Sequence, residues 1–503
     1  MALSRRLRVA CACALLACGG LGPLLGEVDE PERFSETIEV REIEVVFDDD
    51  VLPRLGSFLR KKRDDYSAFE AGAAFPLVEI GSVSSADWLH VLYFDSQLAG
   101  PAARIAAARA LLPMAGSLTE GGRAEIVVAD PNPRSVLVTA IPAELVRGLE
   151  RIVAQALGES KAGAAPVATL AQRALQIDRL AVEIAGRGGG GPRALWLAAD
   201  RWPMQPIDHE RLAHARQQGL SHDPQFGPLL AAGKVLASYG WVTSAIAIRG
   251  ERSQPTLPAN QGRVERRRGG TGDYQTNIIM WTLTGSRKHR AATSESQLDT
   301  LTDFALLPLT ALSRPTSGVL IGTPERLGSV IGDLHDRRRA TYRGPRPEPG
   351  NLTPFEVRWT GGDGRLLPSP AFLRSSTPKE VTLARLRLLL AGDAPPATAG
   401  PLLRRPVASK TGASEICFGE GRKRSVRVAF ARPGPKEAPL EVRFDVPAPR
   451  VVTRDDGDGG DLCLPWSPPG PGPGDLSAPL APFVWLAEDL DNETWIGGVE
   501  TAR

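Results

Sequence analysis

Residue patterns that could do chemistry are few in this 503-residue chain, and most are incomplete. Ser376 and Lys379 stand three apart at a helix start, with Lys410-Thr411-Gly412 downstream, the parts list of a serine–lysine acyl-transfer site. The third element, a Ser-x-Asn between them, is missing, and too few residues separate the two for a catalytic helical domain. Ser376 and Thr377 therefore read as helix-capping residues. His209, His214 and His222 cluster with Asp208 and Asp223. His209 and His214 are five apart, on different helix faces, unlike the i, i+4 pair of a zinc helix, so solvated histidines are expected. Gly188 to Gly191 precede a strand and lack a following Gly-Lys-Ser/Thr, so they do not form a phosphate loop. No Gly-x-Ser-x-Gly elbow occurs. Of the six histidines, His90 falls inside a strand and His335 follows a helix stripe. The arginine runs 266–268 and 337–339 read as solvated faces. No catalytic set is complete, and the expectation is a non-enzyme.

The cysteines speak to compartment. Residues 1–26 have a charged start (Arg5, Arg6, Arg8), a short apolar run at 9–17 and small residues after it, the three parts of a secretory signal. That run is shorter than the ~20 residues a bilayer span needs. Cleavage near Gly26 is one outcome. Lipidation of Cys18, in Leu15-Leu16-Ala17-Cys18-Gly19, is the other. Cys11 and Cys13 also lie in the signal, which leaves Cys417 and Cys463 to the mature chain. In an exported protein that pair is expected to form one disulfide, with two separate buried thiols as the alternative.

Composition narrows the class. Sixty basic against 58 acidic residues give a net charge of +2, without the basic excess of a nucleic-acid binder. A hydrophobic content of 42% and a charged content of 23% fit a globular chain, and the 52 glycines and 43 prolines fit one rich in loops. No later stretch is long and apolar enough for a membrane helix.

These residues must be positioned by elements, and the patterning divides the chain. Residues 37–47 alternate with period two and read as a strand, and 66–83 as strand pieces broken by Gly72 and Gly81. Together 36–86 form an N-terminal β region. From Trp88 strands alternate with helices. The strands are 88–94, 124–129, 136–141, 194–199, 241–248 and 319–321; the helices are 101–114, 142–157, 229–239 and 303–312, and one opens at Thr323-Pro324 with the stripe Leu327, Val330, Ile331 and Leu334. Asp95 closes the first of these strands and Asp200 another. Residues 249–296 interrupt the rhythm as a surface insertion. Alternation over this length implies a mostly parallel, doubly wound sheet covered on both faces. Residues 341–359 turn β-rich again. Thr377 to Glu380 has capping-box spacing and starts a linker helix within 379–392. Residues 393–503 carry strand-like runs at 425–431, 440–446 and 482–488 around a loop at 455–474, and read as a small C-terminal β-sandwich domain.

The order of these pieces resembles the von Willebrand factor A (VWA) domain, in the form found in exported bacterial VWA-related proteins. The segments that carry it are ETIEVREIEVVF (36–47), HVLYFDSQLAG (90–100), GPRALWLAADRWPMQP (191–206), LASYGWVTSAIAI (236–248) and LTALSRPTSGVLIG (309–322). The resemblance places a VWA-like domain at 87–378. It implies a divalent-cation site, usually for Mg²⁺, at the carboxyl ends of the strands. Such a site takes Asp-x-Ser-x-Ser from one loop, a Thr from a second and an Asp from a third. Here Asp95 is in place, but Gln97 and Ala99 occupy both serine positions and no Thr precedes the helix near Val167. Asp200 matches the third-loop Asp, with Arg201 where the family has Gly. Two carboxylates remain of five ligands, so the resemblance implies a degenerate metal site at Asp95 and Asp200, and no cofactor. The alternative is that both aspartates cap helices or pair with Arg201.

The expected protein is an exported, non-catalytic VWA-like interaction or adhesion protein that binds a protein or cell-envelope partner through its sheet-end loops and insertion. It binds no nucleic acid and resides in the periplasm, on an outer-membrane tether or outside the cell. The alternatives are a structural envelope lipoprotein and an envelope-acting hydrolase with a non-contiguous site.

Overall fold

The structure, a computed structural model, describes residues 40–47, 65–120, 122–162, 168–185, 187, 191–200, 202, 226–248, 306–345, 347–359, 365–366, 368–369 and 372–392. Beyond these it describes the C-terminal strand segments 407–408, 414–418, 426–432, 441–445, 450–452, 461–466, 483–490 and 494–500. The signal segment with Cys18, the insertion 249–296, Arg201, the histidines at 209, 214 and 222, Lys410 and the 266–268 arginines lie outside the described residues.

The fold is mixed α/β. Strands β1 (Val40–Phe47), β2 (Tyr66–Glu70) and β3 (Ala73–Ser82) come first. Then follow β4 (Leu89–Asp95), helices α1 (Pro101–Leu111) and α2 (Ala115–Thr119), and strands β5 (Arg123–Ala129) and β6 (Pro133–Thr139). After them the chain forms α3 (Pro142–Ala162), α4 (Leu170–Ala185), β7 (Arg193–Ala198), α5 (Gly227–Ser238) and β8 (Trp241–Ile246). Helix α6 (Leu307–Ser313), β9 (Leu320–Ile321), α7 (Glu325–His335), β10 (Arg338–Pro345), β11 (Thr353–Trp359) and α8 (Lys379–Leu390) complete this part.

A six-stranded sheet runs in the order β6-β5-β4-β7-β8-β9, parallel throughout except at the β6 edge. Strand β4 is central and apolar along nearly its whole length because both its faces are covered. Leu92 and Phe94 face one core, with Ala108 and Leu111 of α1, Leu145 and Leu149 of α3 and the α7 stripe Leu327, Val330, Ile331 and Leu334. Val91 and Tyr93 face the other, with Ile177, Leu180 and Ile184 of α4, Leu229 and Leu236 of α5 and Leu312 of α6. At Gly318 only glycine fits, because a Cβ there would overlap the Thr243 carbonyl.

A second, antiparallel sheet gathers strands from both sides of this α/β region. β2, β3, β10 and β1 lie side by side, with β11 next to β2. Strands β1, β2 and β3 thus pair with residues between 256 and 305 positions later in the sequence. Gly72, at φ +88°, makes the β2–β3 turn, but Gly81 interrupts nothing and β3 continues to Ser82. Gly81 pairs in register with Arg339. The C-terminal strands form two further four-stranded antiparallel sheets. One contains Asp461–Trp466, a strand inside the stretch read as a loop, because its flanking Asp and Gly residues mask six strand-competent ones.

Two further expectations are corrected. The capping box at Thr377 does not form: Pro378 is the N-cap of α8 with no side-chain bond, and the Ser376 hydroxyl instead accepts from the Gly350 N–H at 2.8 Å. The 337–339 run is not a solvated face. Arg337 is buried and donates to the Ser317 carbonyl, and Arg339 pairs with Asp87 and Glu44.

Helix α8 lies between the layers. Val381 enters the core shared with α4, while Leu386 and Leu389 enter that of strands Val426–Arg432 and Phe483–Asp489. Arg387 reaches α4 through two 2.6 Å bonds to Asp178. On the other side, the fully buried Glu488 accepts from Thr382, Arg385 and Arg427.

Candidate functional site at the carboxyl rim

The parallel pairing of β4 with β7 sends both strands out at one edge, so Asp95 and the residue after Ala199 emerge at the same rim. The Asp200 N–H donates to the Leu98 carbonyl at 3.0 Å, which ties the two loops together. The Asp200 carboxylate lies against the start of α1, where a Cβ on Gly100 would stand in ordinary contact with its Oδ2, at 3.5 Å. Asp95 and Asp200, chosen from sequence, are therefore neighbours in space.

Asp95 is wholly enclosed. Its Oδ1 accepts from the Gln97 and Leu98 N–H groups at 2.7 and 3.0 Å, fixing the turn that follows β4, while Oδ2 makes no hydrogen bond. Burial raises its pKa to about 6, against the pull of the Gln176 amide, the two turn N–H groups and the Arg179 charge. Ser96, between Asp95 and Gln97, donates to Asp130 at 3.0 Å.

Sequence reasoning missed the other half of the rim. Helix α4 sends Arg173, Gln176 and Arg179 there, all buried, at i, i+3 and i+6 on one helix face. The Gln176 amide donates to the Pro131 carbonyl and accepts from Arg179. Arg173 lies within electrostatic reach of Asp200 and then Asp95, with its guanidinium 6.0 Å from the centre of the Trp202 ring; Arg179 feels Asp95 and Tyr93. Burial lowers the pKa of both guanidiniums, yet arginine keeps its proton, so the rim holds two fixed cations. The signal was present as R-x-x-Q-x-x-R. A second was Thr169-x-x-Gln172, a capping box in which Gln172 N–H meets the Thr169 hydroxyl at 3.3 Å and Thr169 N–H meets the Gln172 side chain at 2.8 Å. The Thr169 hydroxyl is thereby committed to starting α4.

The rim does not fit Mg²⁺. A hard ion of that size wants near-octahedral oxygen ligands. Here one oxygen of Asp95 already accepts two N–H groups and two guanidiniums share the space. Among the described residues no group of three or more His, Cys, Asp or Glu is arranged to hold a metal.

The opposite end of β4 is built differently. His90, also fully buried, lies between the rings of Trp88 and Trp196, 6.1 Å from each, with His335 edge-on at 5.8 Å. The Trp196 indole N–H donates to His90 Nδ1 at 3.2 Å. Burial, reinforced by His335, lowers the pKa of His90 to about 3 and keeps it neutral. In the C-terminal sheet, Cys417 stands directly opposite Cys463 in the antiparallel register.

No protein-family profile matches the chain, and no curated protein matches it in sequence. Solved structures similar to it include the human COPII-coat protein Sec24c (9% identity, TM-score 0.26, covering 57% of this chain and 43% of that one). They also include an aerotolerance-related membrane protein from Bacteroides fragilis (11%, TM-score 0.23, 49% and 98%) and the vWF domain of the type V pili tip protein Mfa5 from Porphyromonas gingivalis (12%, TM-score 0.23, 51% and 95%). This chain thus spans less than half the length of the Sec24c chain. Among the described residues no helix is long and apolar enough to cross a membrane.

Proposed function

We propose that this is an exported, non-catalytic interaction protein of VWA-like, doubly wound architecture that engages a protein or cell-envelope partner at the carboxyl rim without a metal ion. The observation that carries this reading is the rim itself. In open α/β sheets ligands meet the carboxyl ends of the strands, and here the loops after β4 and β7 are fastened to each other and to a charged face of α4. The 249–296 insertion leaves the chain just beyond β8, at that same edge. On this reading it is the segment that meets the partner. Deleting residues 253–293 should abolish capture of the partner from native envelope extracts while leaving the melting temperature unchanged; undiminished capture would place the contact elsewhere.

An exported chain also gives Cys417 and Cys463 an oxidising compartment. Opposed positions on antiparallel strands have Cα atoms roughly 4.5–5.5 Å apart, within disulfide range. The two C-terminal sheets would then form a sandwich with one member cross-linked internally. Alkylation of the denatured, unreduced protein should find no free thiol at either position; two labelled cysteines would remove the bridge.

A further inference from the structure

We propose that the end of the antiparallel sheet marked by Glu70 and Tyr342 binds a primary ammonium group, carried by a small amine or by a partner's lysine side chain. The site uses no residue of the carboxyl rim.

The sheet that holds it curls round on itself. Residues 365–366 pair with β11 and residues 368–369 with β1, so one short stretch bridges its two edges. Along β2 the buried positions are Tyr66, Ala68 and Glu70, which puts Glu70 on the enclosed face. In register it stands between Phe355 of β11 and Ala73 of β3. Glu70 is 4% exposed, and among the described residues its one bond comes from the Tyr342 hydroxyl, which donates to Oε2 at 3.1 Å. Three other buried carboxylates are answered by cations: Glu125 by Arg187, Asp178 by Arg387, and Glu488 by Arg385 and Arg427. A desolvated carboxylate held only by a phenol lacks that counter-charge. Burial accordingly raises the pKa of Glu70, against the pull of the Tyr342 bond.

The surroundings select the kind of cation. Tyr342 stacks on Phe355 at 5.1 Å and lies 6.0 Å from Phe75, an aromatic wall that suits an organic cation. One carboxylate and one phenol are too few oxygens for a hard metal ion. An ammonium that carries N–H donors can bond the second Glu70 oxygen, which a quaternary ammonium cannot. Gly344 permits the close approach of acid and phenol, since a Cβ there would stand 2.9 Å from Glu70 Oε2 and 2.7 Å from the Tyr342 ring. The adjoining β2–β3 turn at Ala71 and Gly72 is exposed and Phe75 is only partly covered, which gives a route from solvent.

Calorimetric titration of the full chain at pH 7.5 tests this with n-butylammonium, Nα-acetyl-lysinamide, tetramethylammonium and sodium, all as chlorides. Saturable binding of at least one primary amine is expected, roughly tenfold to hundredfold weaker in Glu70→Gln. Tetramethylammonium and sodium should bind at least about tenfold more weakly than that amine. Tighter binding of the lysine derivative would support a partner's side chain as the source, and tighter binding of n-butylammonium a free amine. No saturable binding of either amine in the millimolar range, undiminished binding by Glu70→Gln, or equal binding of tetramethylammonium overturns the inference. Glu70→Gln keeps the side chain's shape and its acceptor for Tyr342, so it should fold. Should it melt early, the wild-type comparison of primary with quaternary amine decides alone.

Discussion

Strand β4 ends in two buried titratable side chains that solve the same difficulty in opposite ways. Near its start His90 is taken out of water among Trp88, Trp196 and His335, where a neutral ring with one hydrogen bond suffices. At its end Asp95 is equally enclosed, yet its surroundings supply two N–H donors, an amide and nearby guanidiniums. Burial penalises the charged form of each, so His90 is moved down to about 3 and Asp95 up to about 6. The difference lies in which form each end can accommodate. The aromatic end accepts only neutral His90, whereas the rim can host a charged carboxylate at a cost.

This contrast makes the two ends respond to acid with opposite sign. The unfolded chain binds the His90 proton below about 6.5 and the folded chain only below about 3, so stability falls on acidification, by roughly 3 kcal/mol at pH 4. His90→Leu should remove that fall, measured as the change in unfolding free energy between pH 7 and pH 4. An unchanged acid slope would show that His90 is protonated in the fold. Asp95 works the other way. Its folded-state pKa lies above the unfolded value near 3.9, so its contribution is complete below that pH and is lost as pH rises through 6, amounting to about 2–3 kcal/mol. Asp95→Asn should therefore raise stability at pH 7.5 and steepen the acid loss left to His90; denaturant melts at both pH values give the sign directly. In the wild type the two nearly offset each other between pH 4 and 7.

Smaller effects refine the picture. Trp196→Phe deletes the indole donor and leaves His90 Nδ1 without its bond, a loss of about 1 kcal/mol at neutral pH with the acid slope retained. Gln176→Leu removes an amide that favours the charged form of Asp95, so the folded-state pKa of Asp95 should rise further and the loss of stability should continue to higher pH, whereas an unchanged profile would show the amide to be dispensable. Following the melting temperature from pH 5 to 8 separates the two.

Much of the scaffold was legible because buried parallel strands are nearly continuous apolar runs: WLHVLYF and ALWLAA announce β4 and β7, and each hands its following residue to the rim. The α7 stripe was legible for a related reason, since one apolar face every third or fourth residue has few other uses. Helix α4 was harder. An arginine on a helix reads as solvated until something shows that the facing surface carries carboxylates, and Asp95 and Asp200 lie 78 and 27 residues away from Arg173 in the sequence. The same ambiguity misplaced Arg337. Ser376 failed differently: its hydroxyl had two backbone partners to choose from, and the chain fold brought Gly350 closer than the helix start.

The position of α8 has one more effect. It works as a clasp, gripping the closing strands through Glu488 with one hand and α4 through Asp178 with the other. Asp178 sits between Gln176 and Arg179 on the chain. Damage near the carboxyl terminus would thus be transmitted inward: once Glu488 is unseated the clasp opens, and the helix that furnishes the rim with its positive charge loses its brace.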